Sequence, residues 1–379
     1  MLATNRAKHN SERKRTYHES DKLLIGAIFL TIFLGLIALS SASSITAYSK
    51  FCDAYYFFKH QLFGLFVGMA VFLFLAKVDY RNWKNYAFWF LLGSIGLLLL
   101  VFIPGLSAHY GKARSWINVF GYSLQPSEFV KLSFLIYLSA WLEFRKEELG
   151  EISRGIMPFV GLLSVLAGLM ILQPDIGTLS ILAATSLIVF FVGGGKLTHI
   201  LGIILVGIIL FLVMLQIKPY QMDRIRCMIN PDYSANDVCY QINQSLIAVG
   251  SGGVLGRGLG ESRQKFMYLP EVSGDSIFAI IAEETGLVFG VILISLFLFI
   301  FYRGFLIAKN APDPFGQNLA IGIVSWISLQ AMINIGGIIN IIPMTGVPLP
   351  LISYGGSAIL SAMAACGILV NISKQTKRT

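Results

Sequence analysis

Charged residues are scarce in this chain: 13% of its 379 residues are Asp, Glu, Lys or Arg, whereas 55% are hydrophobic. Long polar segments are also lacking after residue 22, apart from one between about 218 and 275. A soluble protein of this size cannot bury so much apolar surface, and the apolar residues form runs of about 20, the length that crosses a bilayer. The composition therefore excludes a soluble globular enzyme and predicts an all-α polytopic membrane protein.

Cysteine and histidine are few, with four and five residues respectively, and the chain has no CxxC pair and no histidine cluster. These absences argue against a structural zinc site. Cys366 falls in the last apolar run, where it is expected to be a small packing residue. The other three cysteines fall on the predicted outer side, where a disulfide persists. Cys227 and Cys239 would close a short loop, but their spacing alone leaves the pairing open.

A cleavable signal peptide is not evident, because the first apolar run starts near Leu23, is long enough to span and lacks a small-residue cleavage site. We expect one membrane domain over 23–371, between a basic tail at 1–22 and a tail at 372–379. The ten predicted spans are 23–44, 60–77, 85–103, 126–142, 156–172, 176–193, 197–216, 276–302, 316–337 and 349–371.

The Lys and Arg residues predict the orientation of these spans. If the N-terminus is inside, the inner segments carry 18 of them and the four short outer loops carry 4. The positive-inside rule then places both termini in the cytoplasm and a large extracellular loop, about 218–275, between helices 7 and 8. The net charge of +9 requires no nucleic acid, because the basic tail at 5–15 is explained as an anchor near anionic lipid.

The large loop contains one helical pattern and one glycine-rich stretch. Val238, Ile242, Leu246 and Val249 recur at helical spacing, which predicts an amphipathic helix on or dipping into the outer leaflet. The glycine-rich stretch at 251–261 is not a GxGxxG fingerprint. A flexible loop and a phosphate-binding backbone remain equal alternatives for it.

Two similar motifs, QPSEFVKL at Gln125 and QPDIGTLS at Gln173, each place a proline and an acid at a predicted helix start, which is ordinary helix-start chemistry. Lys131 lies about 7.5 Å below the first of these helix starts. Glu128 shares its helix face, so the two side chains can interact. A cation beside a carboxylate at the mouth of a bundle suits an anionic headgroup, although a lysine can also snorkel to the interface.

Four carboxylates surround the start of the eighth span. Glu283 lies about 12 Å below Asp275 on a helix, and Glu284 is about 180° around from it. Both buried acids are therefore expected to be neutral or bonded to another helix, in structural or coupling roles. Glu271 is a loop residue that can bind backbone amides. Asp275 lies at the outer mouth, where it can meet a substrate or simply cap the helix.

Four long motifs resemble the SEDS family of shape, elongation, division and sporulation proteins, which includes the peptidoglycan polymerases FtsW, RodA and SpoVE. They occur in the family's order, and the stretch from Ser245 to Glu271 looks more like the FtsW branch than the RodA branch. The resemblance implies a glycosyltransferase that polymerises lipid II at the outer face of the bacterial cytoplasmic membrane, for division rather than elongation. The motifs are GKARSWINVFGYSLQPSEFVKL, LQPDIGT, YQINQSLIAVGSGGVLGRGLGESRQKFMYLPEVSGDSIFAIIAEETG and PMTGVPLPLISYGGS.

The resemblance also implies roles for particular residues. The family's catalytic aspartate corresponds to Asp275, the membrane lysine and glutamate to Lys131 and Glu128, and the loop arginine to Arg114. The family usually has His-Thr before that aspartate, and Ser-Gly at 273–274 replaces it here. The remaining candidate substrate-binding residues are Gln125 and Ser127 of the same motif as Lys131, with Arg263 and Lys265, which follow the glycine-rich stretch.

The implied reaction needs one base, because lipid II already carries a pyrophosphate leaving group. Asp275 would deprotonate the acceptor hydroxyl, which attacks with inversion, while the cationic residues stabilise the departing pyrophosphate. A divalent cation, Mg or Mn, can assist, although no acidic cluster defines its site. The implied partners are a class B penicillin-binding protein and other division proteins. A lipid II flippase and a non-catalytic scaffold for that partner are the alternative functions.

Overall fold

The computed structural model describes residues 18–103, 107–110, 113–119 and 122–376. The described part is mostly helical, with a short π-helical turn at Ile152–Ile156 and a 3-10 turn at Pro231–Ser234. The helices are α1 (Lys22–Phe51), α2 (Tyr56–Lys77), α3 (Arg81–Asn85), α4 (Ala87–Leu100), α5 (Pro126–Phe144), α6 (Met157–Leu172), α7 (Ile176–Val192), α8 (Leu197–Ile217), α9 (Pro219–Ile229), α10 (Tyr240–Gly252), α11 (Ile277–Lys309), α12 (Pro314–Ile338) and α13 (Gly356–Ser373).

Each of the ten predicted spans coincides with a helix. Within the described ranges, seven helices are long and apolar enough to cross a membrane by themselves, and α4 and α7 are shorter apolar helices. Helix α5, the tenth, carries three charged residues, Glu128, Lys131 and Glu143. The predicted polytopic helical class is confirmed, and the number of ten crossings stays a prediction.

The last predicted span begins too early. Residues 349–355 form turns, and α13 begins only at Gly356. Pro348 and Pro350 lack the backbone N–H groups that a continuous helix needs. The apolar residues of 349–355 are therefore buried without being helical, in a segment, 339–355, that connects α12 to α13.

A small antiparallel sheet was not predicted. It has the order β1–β2–β3 and consists of Ser107–Tyr110, Ala113–Val119 and Tyr122–Leu124. The register pairs Ile117 with both Ser107 and Leu124. The strands lie between α4 and α5, at the end of the bundle that carries α9 and α10, which we call the outer end after the predicted orientation.

Helices α12 and α13 form the centre of the bundle, since 78% and 83% of an apolar 18-residue stretch in each helix is buried. Helix α8 is the opposite case, with 11% buried, as expected for a helix that faces lipid on most sides. At the inner end, the backbone N–H of His18 donates to the carbonyl of Lys374 (2.8 Å), and that of Asp21 donates to Ser373 Oγ (3.2 Å). These bonds tie the start of α1 to the end of α13.

Helix α11 is broken at Gly286, whose backbone (φ 74°, ψ −174°) is not helical. The break leaves peptide groups without helical partners, and the residues after α10 supply new ones, so the glycine-rich stretch is a bonded part of the bundle. Four hydrogen bonds make this connection: Arg257 N to Glu283 O (3.1 Å), Gly258 N to Glu284 O (3.0 Å), Leu287 N to Gly253 O (3.0 Å) and Val288 N to Val254 O (3.2 Å).

The predicted amphipathic helix exists as α10, and it packs on α11 through Ile242, Ser245, Ala248 and Gly252, its buried residues. A Cβ on Gly252 would lie 2.0 Å from the carbonyl oxygen of Ala282. The end of α10 therefore approaches the backbone of α11 more closely than any larger residue allows.

Gly252→Ala is expected to lower the free energy of unfolding by about 1–3 kcal/mol, because the added methyl group must displace α11. Gly250→Ala, on the same helix, is the control, since a Cβ there meets nothing within 4 Å. Thermal unfolding in detergent should show a lower Tm for the first variant only. Equal Tm values would mean that α10 and α11 are not in this close contact.

Candidate active site

Asp275 lies two residues before the first residue of α11, in the turn that leads into that helix. Its Oδ1 accepts hydrogen bonds from Gln241 Nε2 of α10 (3.2 Å) and from Ser276 Oγ (3.4 Å). The N-cap of α11 is Ser276, and no side chain caps the helix. Asp275 therefore does not cap α11, and its carboxylate faces α10.

The backbone of this turn is held from the opposite side by α12 and the segment 339–355. Because the accepting groups are backbone carbonyls, the replacement of the family's His-Thr by Ser-Gly leaves this anchoring in place. The bonds are Tyr354 N to Ser273 O (2.9 Å), Ser353 Oγ to Gly274 O (2.7 Å) and Asn334 Nδ2 to Asp275 O (2.8 Å).

Arg224 of α9 is the cation that acts on this carboxylate. Gly346 (φ 74°) is exposed and lies between them, and a Cβ there would be 3.6 Å from both Arg224 Nη2 and Asp275 Oδ2. The guanidinium also stacks on Tyr220, 4.7 Å from the ring centroid, and donates to its hydroxyl (2.6 Å). A cation and a carboxylate therefore converge on one open gap.

Burial raises the pKa of the Asp275 carboxyl, and the negative charge of Glu271 raises it further, while Arg224 lowers it. The resulting pKa is about 7. A carboxyl with this pKa changes its protonation state near neutral pH, which is the property that general acid–base catalysis requires.

Lys131 and Glu128 are not brought to this gap. They form a buried ion pair (Nζ to Oε1 2.8 Å) with both side chains 1% exposed. Lys131 also donates to Gln330 Oε1 (2.7 Å) and lies 4.7 Å from the ring centroid of Trp326. Both charges are thus already bound, and the pair reaches the site only through α12.

This indirect connection runs along one face of α12. Gln330, which binds Lys131, donates to the carbonyl of Pro348 (2.9 Å). Asn334, one turn further, donates to the carbonyl of Val347 (2.8 Å) as well as to that of Asp275. Lys131 therefore supports the segment 339–355, which supports the turn at Asp275.

Gln125 and Ser127 surround a different carboxylate, that of Asp175. Ser127 Oγ donates to Asp175 Oδ2 (2.7 Å) and Gln125 Nε2 to the same atom (3.4 Å). Asp175 itself caps α7 by accepting from the backbone N–H of Thr178, as ordinary helix-start chemistry predicts. Arg114 lies on β2, and its side chain falls outside the described residues.

Glu283 and Glu284 are both bonded inside the bundle, Glu284 to Ser41 of α1 (2.6 Å) as predicted and Glu283 to loop residues rather than to another helix. Glu283 accepts from Ser262 Oγ (2.5 Å) and from the backbone N–H of Arg263 (3.0 Å). Glu284 pairs with the buried Lys265 (3.2 Å). Lys265 is therefore already bound in a closed pair, whereas the side chain of Arg263 is exposed.

Arg224 and Gln241 were not singled out by the sequence. Arg224 entered only the charge count of a long loop, and Gln241 lay in the predicted amphipathic helix. The helical pattern of α10 places Gln241 directly before the buried Ile242, but it does not reveal that α9 and α10 meet at Asp275.

A metal site is not evident from the side chains: no group of three or more His, Cys, Asp or Glu residues converges in the part of the chain that the structure describes. Mg²⁺ commonly uses one or two protein carboxylates together with substrate phosphates, so a cation that arrives with a phosphorylated substrate would not need an acidic cluster.

The helical bundle, its broken helix and the carboxylate at the mouth define a polytopic membrane protein with one acid-centred site. A family model described as "Cell cycle protein", covering FtsW, RodA and SpoVE, matches residues 21–378. The chain therefore belongs to the FtsW/RodA/SpoVE family, and the resemblance found in the sequence is confirmed.

Two relatives and one solved structure show how far the similarity extends. Over 357 residues the chain is 39% identical to stage V sporulation protein E of Bacillus subtilis, covering 94% of this chain and 98% of that protein. It is 37% identical, over 94% and 95% of the two chains, to a Geobacter metallireducens protein named probable peptidoglycan glycosyltransferase FtsW. A chain from a structure described as coordinating polymerization and crosslinking in a peptidoglycan synthase complex shares the fold, with a TM-score of 0.77 and 24% identity over 93% and 97% of the chains.

Lys131→Met is expected to destabilise the protein by about 3–5 kcal/mol, because it leaves the Glu128 carboxylate buried without its charge partner. The double variant Glu128→Gln, Lys131→Met should recover much of this loss, as measured by thermal unfolding in detergent. A Lys131→Met variant with the Tm of the wild type but weaker substrate binding would instead support direct contact with a headgroup.

Proposed function

We propose that this protein is a peptidoglycan glycosyltransferase that polymerises lipid II, with Asp275 as general base. The observation that carries the proposal is the carboxyl of Asp275, whose pKa is about 7 and which faces Arg224 across Gly346. A base and a cation on two sides of one gap match a reaction that removes a proton from the acceptor and develops negative charge on the leaving group.

In the proposed reaction, Asp275 takes the proton of the acceptor GlcNAc 4-hydroxyl. The hydroxyl oxygen attacks the anomeric carbon of the donor with inversion, and the bond to the undecaprenyl pyrophosphate breaks. The hydrogen bonds from Gln241 and Ser276 to Oδ1 fix the orientation of the carboxylate. Its Oδ2 is the atom that faces the gap and receives the proton.

Arg224 is the residue best placed to bind a phosphate oxygen in this gap, since a guanidinium offers two parallel donors. Arg263, an exposed cation just after the glycine-rich stretch, is a second candidate. We assign Lys131, Glu128 and Lys265 to positioning, because their charges are already paired. A divalent cation, Mg or Mn, that arrives with the substrate would neutralise pyrophosphate charge.

The name of the Geobacter relative supports the enzymatic activity, and the peptidoglycan synthase complex supports a penicillin-binding protein as the partner. We propose that the site faces outward from the bacterial cytoplasmic membrane. The disulfide between Cys227 and Cys239 beside the site supports this orientation, since such bonds persist in oxidising compartments. A role in division is proposed from the FtsW-like motif.

A flippase is the alternative, and it requires polar groups along a path through the bilayer. The deepest charges among the described residues, Lys131, Glu128 and Glu284, are instead bound in closed local pairs. The groups available to a substrate gather at the outer end. This distribution favours catalysis.

Asp275→Ala is expected to lower polymer formation by about 10²–10⁴-fold, the usual contribution of a general base. Purified wild type and variant, each with the penicillin-binding partner, would be given labelled lipid II. Asp237→Ala, which removes an exposed acid of the same segment, should polymerise normally. Polymer from the Asp275→Ala variant at the wild-type rate would refute the catalytic assignment, and normal lipid II translocation by it in liposomes would support the flippase.

The polymerisation rate should rise with pH through a midpoint of about 7, because only the ionised Asp275 carboxylate accepts a proton. Glu271→Gln removes the negative charge that raises this pKa, so the midpoint of kcat/KM against pH should move to lower pH. Asp237→Asn is the control and should leave the midpoint unchanged. An unchanged midpoint in the Glu271→Gln variant would mean that Glu271 does not raise the pKa of the base.

A further inference from the structure

A disulfide joins Cys227 and Cys239, the residues on either side of the turn between α9 and α10. Cys227 lies one helical turn after Arg224 on α9, and Cys239 is the N-cap of α10, two residues before Gln241. Both cysteines are buried, at 1% and 0% exposure. The bond therefore links the helix that carries the cation of the site to the helix that orients Asp275.

Helix α9 has little else to hold it in place. Its buried residues are Gln221 and Cys227, whereas Ile229 is 74% exposed. Apart from its covalent connection to α8, one hydrogen bond to the helical bundle is described at each end of α9: its N-cap Lys218 donates through Nζ to the carbonyl of Ile171 (2.8 Å), and Asn340 Nδ2 donates to the carbonyl of Met228 (3.1 Å). A helix with so little buried apolar surface is not fixed by packing.

Helix α10, in contrast, is fixed to the bundle. It packs on α11, and the residues after it pair with the broken part of that helix. Asn243 Nδ2 also donates to the carbonyl of Pro231 (3.1 Å) in the turn before it. The disulfide thus joins a loosely held helix to a firmly held one at a point close to both functional side chains.

We propose that the Cys227–Cys239 disulfide positions Arg224 opposite Asp275 and that its reduction removes most of the polymerising activity. This inference rests on the proposed function. Reduction by a dithiol transfers two electrons and two protons, converting the S–S bond to two thiols and the dithiol to its cyclic disulfide. The freed α9 then no longer holds its guanidinium at a fixed place in the gap.

Reduction of the disulfide should change the pKa of Asp275 in a defined direction. Glu271 in its own turn and Arg224 of α9 are the charged groups that act on Asp275, while α10 and α12 present the neutral Gln241 and Asn334. Loss of the nearby cation disfavours the carboxylate. The midpoint of rate against pH should therefore move upward, which a general loss of folded protein cannot produce.

The test compares oxidised and dithiol-treated wild type with the variant Cys227→Ser, Cys239→Ser, in the lipid II polymerisation assay. The control variant Cys52→Ser, Cys366→Ser lacks the two free cysteines and keeps the disulfide. Mass spectrometry after alkylation reports whether the bond is open. Reduction should lower kcat about tenfold or more in wild type and control, as expected when a charged group is misplaced, and re-oxidation should restore it.

The variant lacking the disulfide should have the low kcat and the raised pH midpoint of the reduced wild type, and dithiol should not change it further. Unchanged kcat and pH midpoint in protein whose bond is shown to be open would overturn the inference and leave the proposed function intact. Failure of the oxidised wild type to form any polymer would overturn both. If the double serine variant does not fold, reduction and re-oxidation of the control variant decide the question.

Discussion

The structure depends on one constraint: peptide groups at membrane depth must find hydrogen-bond partners, because no water is available there. Helix α11 breaks at Gly286, and the break would leave four peptide groups unpaired. Residues 253–258 pair with them, and this is possible only because glycine at 252, 256 and 286 lets the two backbones touch. The glycine-rich stretch is therefore a bonded part of the bundle, and it holds the end of α10 against α11.

The buried charges divide into closed pairs and one available carboxylate. Lys131 with Glu128, and Lys265 with Glu284, satisfy each other inside the bundle. Removing one partner of such a pair lowers the stability of the protein strongly, whereas the intact pair adds little net stability. Lys131 ties α5 to α12 through Gln330, and Lys265 ties the loop after α10 to α11. Asp275 has only neutral hydrogen-bond donors on its carboxylate and keeps its capacity to exchange a proton.

Sequence patterns predicted the elements that are determined by neighbouring residues and missed the contacts between residues far apart in the chain. Apolar periodicity located the membrane helices and α10, and the depth of Glu283 and Glu284 separated them from Asp275. The start of α13 was placed too early because apolar residues between prolines read as a span. The placement of Arg224 beside Asp275 follows from how α9 folds back over the bundle, and nothing in its local sequence encodes that. The family motif, not geometry, made Asp275 the leading candidate.

The contact between residues 18–21 and 373–374 at the inner end brings the start of α1 beside the end of α13. A chain joined across this contact and opened at an outer turn instead would keep every helix beside its present neighbours. The arrangement of the bundle thus depends on which helix faces are complementary. The order of the helices along the chain is one of several orders compatible with it.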